Sequence, residues 1–249
     1  MVASPLEQFE ISRIAPLAVG GYDVSFTNAS MFMAIALLLI LGLMWMGTRN
    51  AALVPNRWQA AVETLHEFIG GMVHENIGPK GRKFVPFIFS LFIFVLVANM
   101  IGLVPFTFTV TSHIAVTFAF AALIFVICIV VGVVRHGFHF LSLFVPANTP
   151  WVLLLLIVPI EIISFLSRPL TLAIRLFANM TAGHILLKVF AGFVISLGTA
   201  GGLLALLSPL PLVMTVAFYG LELIVAVVQA YVFALLTCIY LNDSINLHH

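Results

Sequence analysis

The sequence predicts an all-α polytopic membrane protein, and three observations carry this prediction. Of its 249 residues, 63% are hydrophobic and only 8% are charged, with a mean hydropathy of +1.22. Soluble domains contain about 45–50% apolar and about 25% charged residues. The apolar residues form helix-length runs, without the alternating segments of about 10 residues that are typical of a membrane barrel. A net charge of +1 provides no strongly basic surface, so we expect no nucleic-acid partner.

The first half of the chain contains an outer tail and three simple membrane spans. Residues 1–29 are polar and are expected outside the membrane. The first span is predicted over 30–48, which has no charge and, at ~1.5 Å per residue, nearly crosses a hydrocarbon core of ~30 Å. Two further spans are predicted over 86–105 and 114–134. Asn99 is the strongly polar residue of the second span, and we expect it to bond another helix.

Residues 57–75 predict a helix of a different kind. Apolar side chains recur there at helical spacing, while polar side chains occupy the opposite face. An amphipathic helix beside membrane spans most often lies in the interface plane, so we predict one interfacial helix. Its two histidines, His66 and His74, are expected near solvent or headgroups. We expect no metal site and no cofactor anywhere in the chain.

Two long helices are predicted over 151–190 and 209–241. Their apolar tracts would extend about 57 Å and about 46 Å, well beyond the thickness of the core. We therefore expect both helices to tilt strongly and to pack as a hairpin, with Pro159 and Pro169 as candidate kinks. The Gly- and Pro-rich residues between them form either a turn or a short extra span. The predicted number of membrane helices is therefore five, or six with that extra span.

Ionisable side chains at membrane depth are confined to these two long helices. A charge at the bilayer centre costs at least ~2.5–3.5 kcal/mol, and such residues are functional by default. In an antiparallel hairpin the two polar stripes would face each other, either as a sealed ion-pair network or as a hydrated path. The polar residues are Glu161, Ser164, Arg168, Arg175, Asn179, His184 and Lys188 in the first helix, and Glu222 and Gln229 in the second.

The spacing of these residues separates two environments. His184 follows Arg175 by nine residues, about 180° around an ideal helix. Histidine changes its protonation near physiological pH, so His184 and Glu222 together suit a proton relay. Arginine stays protonated in proteins and can pair with a carboxylate without passing a proton on. This pattern favours a proton path beside a fixed positive barrier, with a purely structural His–Glu pair as the alternative.

The segment RLFANMTAGH, Arg175–His184, resembles the signature of subunit a of the membrane sector of rotary F-type ATP synthases. The resemblance extends over the outer tail, the interfacial helix, the simpler spans and the long helices with their Glu…Gln pair. It implies a non-catalytic stator subunit that couples proton flow to rotation of a c-subunit ring and to ATP synthesis. The ring, b-type peripheral-stalk subunits, the rest of the synthase, lipid and protons are the implied partners. An ion-coupled secondary transporter is the alternative.

The resemblance also implies roles for individual residues. Arg175 matches the arginine that faces each ring carboxylate and blocks leakage between two offset half-channels. The outer half-channel is matched by Asn179, His184, Glu222 and Gln229. The inner half-channel is matched by Glu161, Ser164 and Arg168. No catalytic residue is implied.

One departure from the best-known bacterial pattern bears on both mechanism and location. That pattern has an acid at the position of His184 and a histidine at the position of Glu222, whereas here the two are exchanged, as in mitochondrial-type members. An exchange that keeps both groups indicates that they interact. We expect the bacterial inner membrane, with the mitochondrial inner membrane as the alternative. Basic residues after the first and third predicted spans place the N-terminus outside and the C-terminus in the cytoplasm.

Overall fold

A computed structural model describes residues 11–16, 18–19, 22–23, 25–49, 51–104, 107–137, 139–140, 145, 150–202 and 207–246. Within these ranges the chain is dominated by six long α-helices. Five of the helical segments in the described part are long and apolar enough to cross a membrane. The predicted all-α fold with five membrane helices and one amphipathic helix is confirmed.

Short strands precede the first helix. Strand β1 (Arg13–Ala15) pairs antiparallel with β4 (Phe26–Thr27), and β2 (Ala18–Val19) pairs antiparallel with β3 (Tyr22–Asp23). One hairpin therefore lies inside the other within the predicted outer tail, a feature that the sequence did not indicate. Residues 1–10 of that tail lie outside the described residues.

Helix α1 runs over Asn28–Thr48 and helix α2 over Arg57–Ile77. The side chain of Asn56 fixes the start of α2, because its Oδ1 accepts a hydrogen bond from the backbone N–H of Trp58 at 2.7 Å. The helix ends at Gly78, whose φ of +80° suits a residue without a Cβ. One apolar face of α2 is buried within the protein through Ile69, Met72, Val73 and Ile77.

Helices α3 and α4 correspond to the second and third predicted spans. A 3-10 helix over Pro79–Phe84 leads directly into α3 (Val85–Leu103). A second 3-10 helix, Val110–Ser112, precedes α4 (Ile114–His136). The side chains of this second 3-10 helix are buried, which makes it a structured part of the molecule.

The two long helices run further than their apolar tracts predicted. Helix α5 covers Trp151–Ala200, a continuous 50 residues that include both Pro159 and Pro169. Helix α6 covers Pro209–Ile245, 37 residues. The eight residues between them, 201–208, are too few for another membrane span of about 20 residues. Within the described residues the candidate membrane spans therefore number five.

Two glycines account for the end of α5. Gly201 has a φ of +71° and Gly202 a φ of +59°, both in the left-handed region where other residues are strained. The helix therefore continues through the apolar residues after 190 and stops before the first glycine with a left-handed backbone, Gly201.

Contacts divide the chain into two compact units. The first comprises Met1–Leu41, Phe94–His113 and Leu176–Ala230. Its core holds fully buried side chains from α5 and α6, and the rings of Phe190 and Phe218 lie 4.9 Å apart between these helices.

The second unit comprises Gly42–Ile93, Ile114–Arg175 and Tyr231–His249. Aromatic contacts fill its core: the Phe125 and Phe165 rings, from α4 and α5, lie 4.9 Å apart. A further ring contact joins α2 to α3 and α6 through Phe68, Phe92 and Tyr231.

Candidate functional site

A buried histidine–glutamate pair lies between α5 and α6 in the first unit. His184 Nδ1 is 3.5 Å from Glu222 Oε1, and the two residues are only 7% and 3% exposed. Among the described residues, neither Glu222 carboxylate oxygen has a hydrogen bond. Buried carboxylate oxygens are normally satisfied by a donor or by water. The pair can therefore exchange a proton after a small approach or through one bridging water.

An amide pair lies in the same interface. Asn179 Nδ2 donates to Gln229 Oε1 at 2.9 Å. Gln229 is buried, while Asn179 is exposed. The buried Nε2 of Gln229 has no hydrogen-bond acceptor within the described ranges. Because Asn179 contacts Gln229 while the later His184 contacts the earlier Glu222, the two helices pack antiparallel here, as the hairpin prediction required.

A loop between α3 and α4 adds polar contacts to this unit. The Thr109 hydroxyl lies 3.0 Å from His184 Nε2. Thr111 donates to Asn99 Oδ1 at 2.9 Å, and Asn99 Nδ2 donates to the carbonyl of Ala226 at 3.3 Å. Asn99 thus bonds another helix, as expected. The loop therefore contacts α5 directly through Thr109 and is connected to α6 through Asn99 of α3.

A histidine at the end of this loop adds no positive charge. His113 stacks on Phe108, with ring centroids 4.8 Å apart. Burial lowers the pKa of His113 below its usual value of 6.5, because the charged imidazolium loses hydration. Its imidazole is therefore neutral at physiological pH.

An ion pair lies in the second unit. Arg168 Nη1 donates to Asp243 Oδ2 at 2.6 Å, and both side chains are about a quarter exposed, at 24% and 25%. The guanidinium also lies over the rings of Phe165 and Tyr240, at 5.6 Å and 5.4 Å from their centroids. Arg168 is thus held by an acid and two aromatic faces.

The end of α6 in the same unit is held by two further contacts. The ring Nε2 of His136 lies 3.1 Å from the carbonyl oxygen of Ile245, a group without an intrahelical partner at a helix end. Lys80 Nζ donates to Asn246 Oδ1 at 3.3 Å. The acid partner of Arg168 therefore lies on a fixed final turn.

The remaining predicted site residues all lie on α5. Glu161 is half-buried, and Ser164 and Arg175 are exposed. Spacings of three, four and seven residues place Glu161, Ser164, Arg168 and Arg175 near one helix face. Arg175 therefore presents its charge on the surface of a helix that is otherwise apolar over long stretches.

Comparisons with known proteins decide the family. A family model described as ATP synthase A chain matches residues 30–242. The chain is 55% identical to ATP synthase subunit a of Rhizobium leguminosarum bv. trifolii over 246 residues, which cover 99% of this chain and 98% of that protein. It is 54% identical to ATP synthase subunit a of Chelativorans sp. over 249 residues, which cover 100% of both.

The chain belongs to the ATP synthase subunit a family. The predicted proton-translocating, non-catalytic subunit of an F-type synthase membrane sector is thereby confirmed, and so is its multi-pass membrane nature. This membership favours the proton-channel prediction over the ion-coupled transporter.

The sequence did not indicate two residues that contact predicted site residues. Thr109 is one of four hydroxyl side chains between positions 107 and 112, and neither spacing nor charge distinguishes it from the other three. Asp243 was missed because the predicted helix ended at residue 241, whereas α6 includes the polar residues up to Ile245. An acid just beyond the apolar tract was the available signal for Asp243, since Arg168 needed a partner.

Gly183 gives the Glu222 side chain its space. A Cβ at position 183 would lie 2.7 Å from Glu222 Oε1, which is closer than real Cβ atoms approach, and 3.0 Å from its Cδ, which is a tight contact. We therefore expect Gly183→Ala to displace the carboxylate and to lower passive proton conduction through the membrane sector on the order of tenfold. Proton flux into vesicles after removal of the catalytic sector measures this effect.

Gly192→Ala is the matched control for this prediction. Gly192 lies on the same helix, and a Cβ there would meet nothing within 4 Å. Alanine is more favourable than glycine in a helix interior by about 1 kcal/mol, so this variant should assemble normally and conduct like the wild type. Equal conduction by the two variants, with equal assembly, would contradict the role given to the space at Gly183.

Proposed function

We propose that His184 and Glu222 form the proton relay of an outer half-channel, with Asn179 and Gln229 along the same path. The observation that carries this proposal is the 3.5 Å contact between two buried titratable groups. The unsatisfied polar atoms of Glu222 and Gln229 support it, because they are sites where water molecules can bond. Since these residues are seven apart in α6, they lie on one face and can line a continuous hydrated path.

The relay delivers its proton to a carboxylate of a neighbouring ring of c subunits. Once neutral, that carboxyl can enter lipid, because the cost of burying its charge has been removed. Rotation of the ring then carries it toward the inner half-channel. A membrane potential biases this cycle by about 2.3 kcal/mol per charge for each 100 mV.

Arg175 faces the ring in this proposal. Its guanidinium pairs with each deprotonated ring carboxylate and, because it keeps its own proton, blocks leakage between the half-channels. Exposed small residues support a close approach of partner helices. By spacing they lie along the same side of α5 as Arg175, and they are Thr171, Ala178 and Ala182.

Glu161, Ser164 and Arg168 form the inner half-channel, and Asp243 extends this group. A lone cation at an exit would repel the departing protons. Asp243 offsets the charge of Arg168 through its 2.6 Å contact and leaves the half-buried Glu161 as a proton acceptor. In this proposal the exit keeps an anchored arginine without a net positive barrier.

The assembly and its location follow the same proposal. The partners are the c-subunit ring, b-type peripheral-stalk subunits and the rest of the synthase, together with surrounding lipid. We place the chain in a bacterial inner membrane, since the relatives named above are bacterial proteins. Its N-terminus lies outside and its C-terminus in the cytoplasm, with α2 at the interface and with α5 and α6 strongly tilted against the ring.

Thiol labelling tests the hydrated path. In a background with Cys128 and Cys238 replaced by alanine, we expect Gln229→Cys to react with a water-soluble thiol reagent added from the outer side. Ala230→Cys is the control, because Ala230 neighbours Gln229 on α6 but is 0% exposed and faces another direction. Mass spectrometry of the modified subunit measures both rates. A Gln229→Cys rate no higher than that of Ala230→Cys would refute the hydrated path.

A further inference from the structure

We propose that Thr109 is a positioning residue for His184, an inference that rests on the relay proposed above. The Thr109 hydroxyl lies 3.0 Å from His184 Nε2, while the other ring nitrogen, Nδ1, faces Glu222 Oε1 at 3.5 Å. Thr109 is only 3% exposed, so bulk water does not compete for this contact. The imidazole is thus held between a hydroxyl and a carboxyl group.

A hydroxyl suits both states that the relay requires. When Nε2 carries the hydrogen, the Thr109 oxygen accepts a hydrogen bond from Nε2–H, and the Nδ1 lone pair faces Glu222. A proton can then move from the carboxyl of Glu222 to Nδ1: the O–H bond breaks, the N–H bond forms, and a carboxylate faces an imidazolium. In that imidazolium, Nε2 still donates to Thr109. When Nε2 instead carries the lone pair, the Thr109 hydroxyl rotates and donates a hydrogen bond to Nε2.

The backbone around Thr109 is fixed, so its hydroxyl has a defined position. The carbonyl of Thr109 accepts from the backbone N–H of Ser112 at 3.2 Å and from its hydroxyl at 2.6 Å. The Ser112 carbonyl in turn accepts from the hydroxyl of Thr181 on α5, at 3.4 Å. The loop is thus bonded to the same helix that carries His184.

The packing below Thr109 leaves its side chain little freedom. A Cβ at Gly102 of α3 would lie 2.7 Å from Thr109 Cγ2 and 2.9 Å from its Oγ1. Gly102 therefore allows Thr109 to pack directly against the α3 backbone. A side chain confined in this way selects one orientation of the ring that it contacts.

Two substitutions separate the hydroxyl from the packing. Thr109→Val keeps the shape and removes the hydrogen bond, and we expect passive proton conduction to fall on the order of tenfold. Thr109→Ser keeps the hydroxyl and removes a methyl group, and we expect conduction within about twofold of the wild type. Proton flux is measured in vesicles in which the complete synthase has assembled and its catalytic sector has then been removed. The amount of assembled complex is measured in parallel.

His184→Ala, measured in the same vesicles, separates this inference from the function on which it rests. Wild-type conduction by Thr109→Val, together with a loss in His184→Ala, would overturn the role of Thr109 and leave the relay intact. Equal losses in Thr109→Val and Thr109→Ser would also overturn it, because packing would then be the cause. Wild-type conduction by His184→Ala would overturn the relay itself.

Discussion

Arg175→Ala is expected to reduce proton transport by the assembled synthase by roughly 100-fold. Without the guanidinium, a deprotonated ring carboxylate would meet α5 with no cation to pair with. Leaving a charge unpaired at membrane depth costs at least ~2.5–3.5 kcal/mol, and each 1.36 kcal/mol corresponds to a tenfold change in rate. ATP-driven acidification of inverted membrane vesicles measures this loss.

Two further variants give the Arg175 prediction its controls. Arg175→Lys keeps a positive charge but loses the planar fork, and an ammonium can release its proton, so we expect partial activity. Arg135→Ala removes an exposed arginine at the end of α4 and should pump like the wild type. Equal pumping by Arg175→Ala and Arg135→Ala would contradict the role of Arg175.

Exchanging the relay pair is expected to restore activity that either single change removes. His184→Glu alone places two carboxyl groups at the site, and Glu222→His alone places two imidazoles there. We expect each to lower the rate of ATP synthesis about 100-fold, the lower end of what positioned acid–base groups contribute. The double variant should exceed either single variant about tenfold, because one imidazole and one carboxyl again face each other.

Full recovery in the double variant is not expected, since Gly183 leaves space for the glutamate on α6 only. The side chain of Glu222 fills the space beside Gly183. A histidine ring at position 222 has a different shape and would not pack against α5 in the same way. A loss in the double variant as large as in the single variants or larger, at equal assembly, would refute a shared relay, because independent losses would multiply rather than cancel.

The sequence predicted the helices and the polar stripe well for a physical reason. A run of apolar residues without charge has few structures open to it other than a membrane helix. Burying an ionisable side chain inside such a run costs so much free energy that its presence indicates a function. Arg175, His184 and Glu222 were predicted as site residues for this reason. Antiparallel packing of α5 and α6 then brought His184 and Glu222 together.

Features that depend on weak or distant contacts were not predictable. Thr109 acquires its position through backbone bonds to Ser112 and packing against Gly102, and neither follows from composition. Asp243 lies on a polar segment beyond the predicted end of α6. The structure continues the helix through this segment, and the Asp243 carboxylate contacts Arg168. The length of α5 depends on where the first left-handed glycine occurs, at Gly201.

The most direct test of the central claim is ATP synthesis driven by an imposed proton gradient and potential in vesicles that carry the Arg175→Ala synthase. The synthase should assemble with its ring, and we expect ATP formation at the level of vesicles treated with an uncoupler. ATP formation at the wild-type rate would contradict the claim that proton flow through this chain depends on Arg175.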